Sequence, residues 1–286
     1  MPLFAFIGGL FLKSAPFREF VRKKAVRLLV PFFVWSLFFW VLYGVIIYVT
    51  EPALMDEQLK KIILIVGGSG QNAIRNYANV ALWFLPFLFS SSMIWFVLSR
   101  LSVGRQWLEY VGVLTIATIG LFCGFMDIKL PYKLNTAFTL YPFFLAGFRY
   151  FRLYGHGDRV VLNCRWIIML VCVAVFIPSV LFNVPIDTAS NVVGKFGLFY
   201  LGAFAAIILL TVLCRMVGKV GFICFLGRNS LVILIFHMPL IQLVMQFLKP
   251  DSAILLLLVV PVVVILLCLP LIGLLNRSFP QLIGLR

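Results

Sequence analysis

Few residues in this 286-residue chain are suited to chemistry. It holds two histidines. His156 lies in the polar stretch Tyr154-Gly-His-Gly-Asp158 and reads as a solvated turn residue. His237 is set in Leu231-Val-Ile-Leu-Ile-Phe-His-Met-Pro239-Leu240, in the middle of an apolar run. An ionisable group at membrane depth is costly and marks function by default, and imidazole takes up a proton near neutral pH. His237 is therefore the candidate catalytic base. A neutral ring hydrogen-bonded to a neighbouring helix is the alternative. Pro239 lacks an N–H, so a helix through this run is expected to kink and to free a carbonyl nearby.

The second cluster is basic. Arg18, Arg22, Lys23, Lys24 and Arg27 lead directly into Leu28-Leu-Val-Pro31. Topology and anionic lipid account for many such runs. Lys23 and Arg27 are also four apart on one helix face, with Arg22 five before Arg27, and such a face can hold the phosphates of a nucleotide-like donor. A third group follows the long connection Glu51–Asn79. Arg75, Tyr77 and Asn79 close it, and Trp83 heads the next apolar run. Tyr and Trp rings stack on sugars, so these four are candidate acceptor-binding residues. An interfacial aromatic belt and a mobile connector are the competing explanations. No nucleophile elbow, zinc-protease helix, phosphate-binding loop or dinucleotide fingerprint occurs. The six cysteines are scattered without a paired motif and read as small apolar residues, with no metal site.

These residues must be positioned by membrane-spanning helices. The chain is 63% hydrophobic and 12% charged, whereas a soluble domain is roughly half apolar and about a quarter charged. That excludes a soluble globule, a disordered chain and a disulfide scaffold. A net charge of +15 would suggest nucleic acid in a soluble protein; here it fits basic cytoplasmic loops, and no nucleic-acid partner is expected. Eight runs are long enough to span: Leu28–Thr50, Val80–Ser99, Trp107–Met126, Lys133–Phe151, Arg165–Phe182, Val193–Leu213, Ser230–Leu248 and Ser252–Leu275. A ninth, Pro2–Leu12, is short. Over alternating connections, 17 of the 24 basic residues fall on one side and 7 on the other. The expectation is an all-α polytopic transmembrane bundle, one domain over residues 1–286. Nine spans would leave Met1 outside and the C-terminus in the cytoplasm. Glu109 is the only acidic residue within these runs, too few for the usual proton-coupled transporter.

Five segments, in order along the chain, resemble the acyltransferase-3 family of integral-membrane O-acyltransferases, closest to its fucose 4-O-acetylase-like branch. Met1-Pro-Leu-Phe-Ala-Phe-Ile-Gly-Gly-Leu-Phe-Leu is similar to the family's H-M-P-L-F-F-F-I-S-G-Y-L-F, with Gly8 in place of its Ser. Lys23-Lys-Ala-Val-Arg27-Leu-Leu-Val-Pro31 resembles K/R-x-x-R-L-L-x-P, and Leu82-Trp-Phe-Leu-Pro86 resembles W-F-L-x-x-L. Tyr141-Pro-Phe-Phe-Leu-Ala-Gly147 resembles Y-x-P-F-F-x-x-G, and Gly227-Arg-Asn-Ser-Leu231 through His237-Met-Pro239 resembles G-x-N-S-L-x-I-Y-x-x-H-x-P.

The resemblance implies a ten-helix fold in the bacterial cytoplasmic membrane. It implies acetyl-CoA or another acyl-CoA as donor, bound at Arg22, Lys23 and Arg27. The acceptor would be a hydroxyl of a surface glycan or its lipid-linked precursor, and membrane lipid would surround the bundle. It also implies one more helix ahead of Met1, carrying the family's catalytic histidine. On that expectation the 286-residue form is at best poorly active. A non-enzymatic glycan or lipid transporter, or an inactive truncated relative, remains the alternative.

Overall fold

Backbone in lipid has no water to bond, so each apolar run must satisfy its own N–H and C=O groups, and a helix does so locally. The computed structural model describes residues 1–68, 79–154, 164–248 and 253–284, and it is helical throughout apart from turns and one isolated bridge, Asp187–Val192. The helices are α1 (Pro2–Leu10), α2 (Phe17–Lys24), α3 (Val30–Thr50), α4 (Met55–Val66), α5 (Phe84–Leu101), α6 (Gln106–Phe125) and α7 (Leu134–Tyr154). They continue as α8 (Arg165–Leu181), α9 (Phe196–Val217), α10 (Gly221–Arg228), α11 (Ser230–Leu248) and α12 (Ala253–Ser278).

Every apolar run named above is helical, so the chain is an all-α polytopic membrane bundle. Six helices among the described residues are long and apolar enough to cross a bilayer: Phe17–Thr50, Val80–Leu101, Gln106–Phe125, Phe196–Val217, Ser230–Phe247 and Leu256–Ser278. Arg165–Leu181 is a shorter apolar helix, and α1 has only nine residues.

Two helix starts shift by a few residues, and one connection holds a helix. The run predicted from Lys133 begins as a helix at Leu134, because Tyr132 and Lys133 adopt positive φ (54° and 55°) and form a turn. The run predicted from Val193 begins at Phe196, after a turn in which Asn191 and Gly194 also have positive φ. The connection Glu51–Asn79 is not a plain loop. Its first part forms α4, whose twelve residues are too few and too charged to register as a span.

Contacts divide the chain into two compact units. The first comprises Met1–Phe17 and Ser90–Lys219. Here α1 packs on α7 through two glycines: a Cβ on Gly9 would overlap the Phe144 carbonyl, and one on Gly147 would overlap the Phe6 carbonyl. Small residues allow this backbone approach, which drives helix pairing in lipid. Around the α7 start, Ser90 Oγ donates to the Tyr132 carbonyl and Asn191 Nδ2 donates to Gly120. Lys133 is buried, its Nζ donating to the Ala189 carbonyl at 2.9 Å. Burial pushes this ammonium down from 10.5 to about 8, with Asp187 opposing the shift and Lys129 adding to it.

The second unit comprises Arg18–Phe89 and Val220–Arg286. Its core joins α3, the turn before α5, α11 and α12 through Phe32, Trp35, Phe39, Leu82, Ile235 and Ile272. The candidate residues that lie among the described ones all belong to this unit.

Candidate functional site

α2 and α3 form one continuous helix whose middle, Ala25–Leu29, is a π-helical turn. Pro31 explains the wide turn. It has no N–H to donate to the Arg27 carbonyl four residues back, and the Val30 N–H bonds to Ala25 instead. The C-terminal segment closes on this turn. Gly284, at φ +67°, packs so tightly on Arg27 that a Cβ would lie 2.9 Å from the Arg27 carbonyl oxygen. Trp35 Nε1 donates to the Leu282 carbonyl at 3.0 Å. Arg22, Lys23 and Arg27 are all exposed. Lys23 is paired with Glu19 at 2.5 Å. Arg22 and Arg27 have no acidic partner among the described residues, so they carry the free positive charge of this turn.

His237 is half-buried on α11. Its Nδ1 lies 2.9 Å from the carbonyls of both Ile233 and Leu234. Carbonyl oxygens only accept, so Nδ1 is the donor of these bonds. In the neutral ring Nε2 is then the nitrogen able to accept a proton. Its neighbour Phe236 packs edge-on against Trp35, with centroids 4.9 Å apart. Trp35 stands eight residues along the helix from Arg27, which corresponds to roughly 12 Å of rise.

Pro239 has its expected consequence. The carbonyl it deprives of a helical donor is that of Ile235, four residues back, and Asn79 Nδ2 donates to that oxygen at 2.5 Å. Asn79 is buried, and its Oδ1 has no hydrogen-bond partner among the described residues. The structure therefore brings one residue of the long connection onto the helix that bears His237. Trp83 is buried, its ring packed edge-on against Phe87 at 5.8 Å; it is a core residue here rather than an open stacking surface. Arg75 and Tyr77 lie outside the described residues, as does His156.

Several polar residues on or against α3 escaped the sequence reading. Trp40 Nε1 donates to the Gln58 carbonyl and Gln58 Nε2 donates to the Trp40 carbonyl, each at 2.8 Å. This pair binds α4 back along α3, ten residues before α3 ends, or roughly 15 Å along its axis. Gln58 Oε1 and, one turn away from Trp40, Ser36 Oγ are buried with no partner among the described residues. Tyr43 donates to Gln242 Oε1 at 3.0 Å. The only signal for Gln58 in sequence is an uncharged amide within a charged heptapeptide. Gln242 does stand out, as one of two amides, with Gln246, in an apolar run.

Comparison with known proteins adds one finding. A protein-family model described as an acyltransferase domain, of the acyltransferase-3 type, matches residues 1–273. No curated protein and no solved structure matches the chain.

Proposed function

Given that the chain belongs to the acyltransferase-3 family, we propose that it moves an acyl group, acetyl first, from acyl-CoA at the cytoplasmic side to a hydroxyl of a surface glycan or its lipid-linked precursor. It does so as a multi-pass protein of the bacterial inner membrane with its C-terminus in the cytoplasm. The observation that carries this reading is His237, whose Nδ1–H is spent on helix carbonyls, which leaves Nε2 of the neutral ring to act as the base.

The acceptor hydroxyl gives its proton to Nε2 as its oxygen attacks the thioester carbonyl. The tetrahedral adduct collapses, the C–S bond breaks, and the departing thiolate takes the proton back from the imidazolium. Arg22 and Arg27, exposed at the turn that Gly284 braces, hold the donor's phosphates as charge-assisted partners. Lys23 is a weaker member of this set because Glu19 occupies its ammonium. On the acceptor side, the unpartnered Asn79 Oδ1, Gln58 Oε1 and Ser36 Oγ supply polar groups where a buried bond is still to be made. Arg75 and Tyr77 extend this side from the long connection, and Trp83 supports it through packing.

The test is transfer of labelled acetyl from acetyl-CoA to membrane glycans by the purified protein in lipid discs. His237→Ala is expected to lower the rate about 10²- to 10⁴-fold with CoA affinity unchanged. Arg27→Ala should weaken CoA binding about tenfold to a hundredfold. A folded His237→Ala protein with normal turnover would make the ring structural. Unchanged CoA affinity in Arg27→Ala would leave the basic run with topology alone.

A further inference from the structure

In the first unit, the α5–α6 turn and Ser14 of the α1–α2 connection border a cavity of about 480 Å³ with α5, α6 and α7. Its lining includes Arg100 and Arg105 from the α5–α6 turn, Glu109 from α6, Arg149 from α7, and the buried rings of Trp95 and Phe148. We infer that this cavity is a phosphate-binding site, independent of the acyl-transfer reading.

The chemistry argues for an anion. Three guanidinium groups and one carboxylate line the space, so the site carries an excess of positive charge. The carboxylate is already committed, because buried Glu109 forms an ion pair with Arg149. That pair fixes the Arg149 guanidinium, whose Nε is buried with no hydrogen-bond partner among the described residues. Arg100 is held over the Phe96 ring at 5.2 Å, which orients it without neutralising it. Arg105 is the N-cap residue of α6, and no side chain caps that helix end. The first N–H groups of α6, beside Gln106 in the lining, therefore add their positive end to the same space. Planar guanidinium forks match phosphate oxygens in pairs. Trp95 and Phe148 give the cavity an apolar wall suited to the carbon portion of a phosphoester. Basic residues that serve topology alone need neither a cavity nor a buried ion pair to hold one of them in place.

A phosphate can arrive on an anionic lipid headgroup or on a soluble phosphoester, and two probes separate these sources. The full chain in phosphatidylcholine discs is titrated with inorganic pyrophosphate, and in discs containing phosphatidylglycerol its retained lipid is counted by native mass spectrometry. Wild type is compared with Arg100→Gln/Arg105→Gln and with the control Lys13→Gln/Lys219→Gln, which removes two exposed cations outside the cavity lining. One probe or the other is expected to bind wild type and to lose at least about tenfold in the arginine variant, with the control unchanged. Pyrophosphate binding identifies a soluble phosphoester, and phosphatidylglycerol retention alone identifies lipid. Binding of neither probe to wild type overturns the site, and so does an equal loss in the control. CoA is left out as a probe so that failure here stays separate from failure of the donor assignment.

Discussion

The bond from Asn79 to the Ile235 carbonyl offers a direct measurement of how the long connection is held. Pro239 deprives that oxygen of its helical donor, and the Asn79 amide replaces it. Asn79→Ala would leave the carbonyl buried and unpaired, at a cost of about 1–3 kcal/mol in a protein interior. Interhelical hydrogen bonds in lipid average only about 0.6 kcal/mol, with a maximum of about 1.7. Asn79 is only 6% exposed, so its partner cannot turn to water, and a loss of about 1–2 kcal/mol is expected. The decisive variant is Pro239→Ala. It restores an N–H four residues after Ile235, so in that background Asn79→Ala should cost little. Unfolding in mixed detergent, followed by tryptophan fluorescence for wild type, both single variants and the double variant, gives the coupling. A value near 1 kcal/mol is expected, above the roughly 0.3–0.5 kcal/mol scatter of independent sites. Additivity within that scatter would refute the account.

Lys133 makes stability depend on pH. Its folded value of about 8 lies below the ordinary 10.5, so between these values the unfolded chain holds more protons and stability rises with pH. The stability difference, wild type minus Lys133→Met, should grow by up to about 3 kcal/mol across that window; a flat difference would contradict the burial argument. At the α1–α7 contact, Gly9→Ala and Gly147→Ala should each cost about 1–3 kcal/mol in detergent unfolding, and no cost from either would mean the backbones do not meet. Gly284→Ala forces a side chain into positive φ and onto the Arg27 carbonyl. It should release the C-terminal turn to limited proteolysis and weaken CoA binding, and an unchanged cleavage pattern would remove the bracing role.

Sequence carried the helices well because lipid permits little else. Each apolar run became a helix, and the carbonyl freed by Pro239 followed from the missing N–H alone. Helix starts shifted by one and three residues where backbone left helical space, as at Tyr132, Lys133, Asn191 and Gly194. Long-range partners failed more completely. Nothing local ties Asn79 to Ile235, 156 residues away, or Trp35 to Leu282, 247 residues away. The buried Trp83 shows the opposite error: an aromatic at a span head reads as interfacial, yet the fold encloses it. Likewise Glu109, noted only as a rare acid, gained meaning once Arg149 arrived from another helix.

Gln58 separates a structural amide from a functional one. Its Nε2 adds a second donor to the Trp40 carbonyl, while Trp40 Nε1 bonds to the Gln58 backbone and would survive a side-chain change. Its Oε1 is buried without a partner, and an unpaired buried acceptor costs about 1–3 kcal/mol. Gln58→Leu fills nearly the same volume and removes that unpaired atom at the loss of one modest bond. Stability should therefore stay level or rise by about 1 kcal/mol, the pattern of a residue kept for function rather than folding. If the unpartnered oxygen meets the acceptor hydroxyl, the same variant should raise the acceptor KM while leaving CoA affinity alone. Detergent unfolding and acetyl-transfer kinetics on one preparation decide the matter. A loss of more than about 1 kcal/mol with an unchanged acceptor KM would make Gln58 only a clasp between α3 and α4.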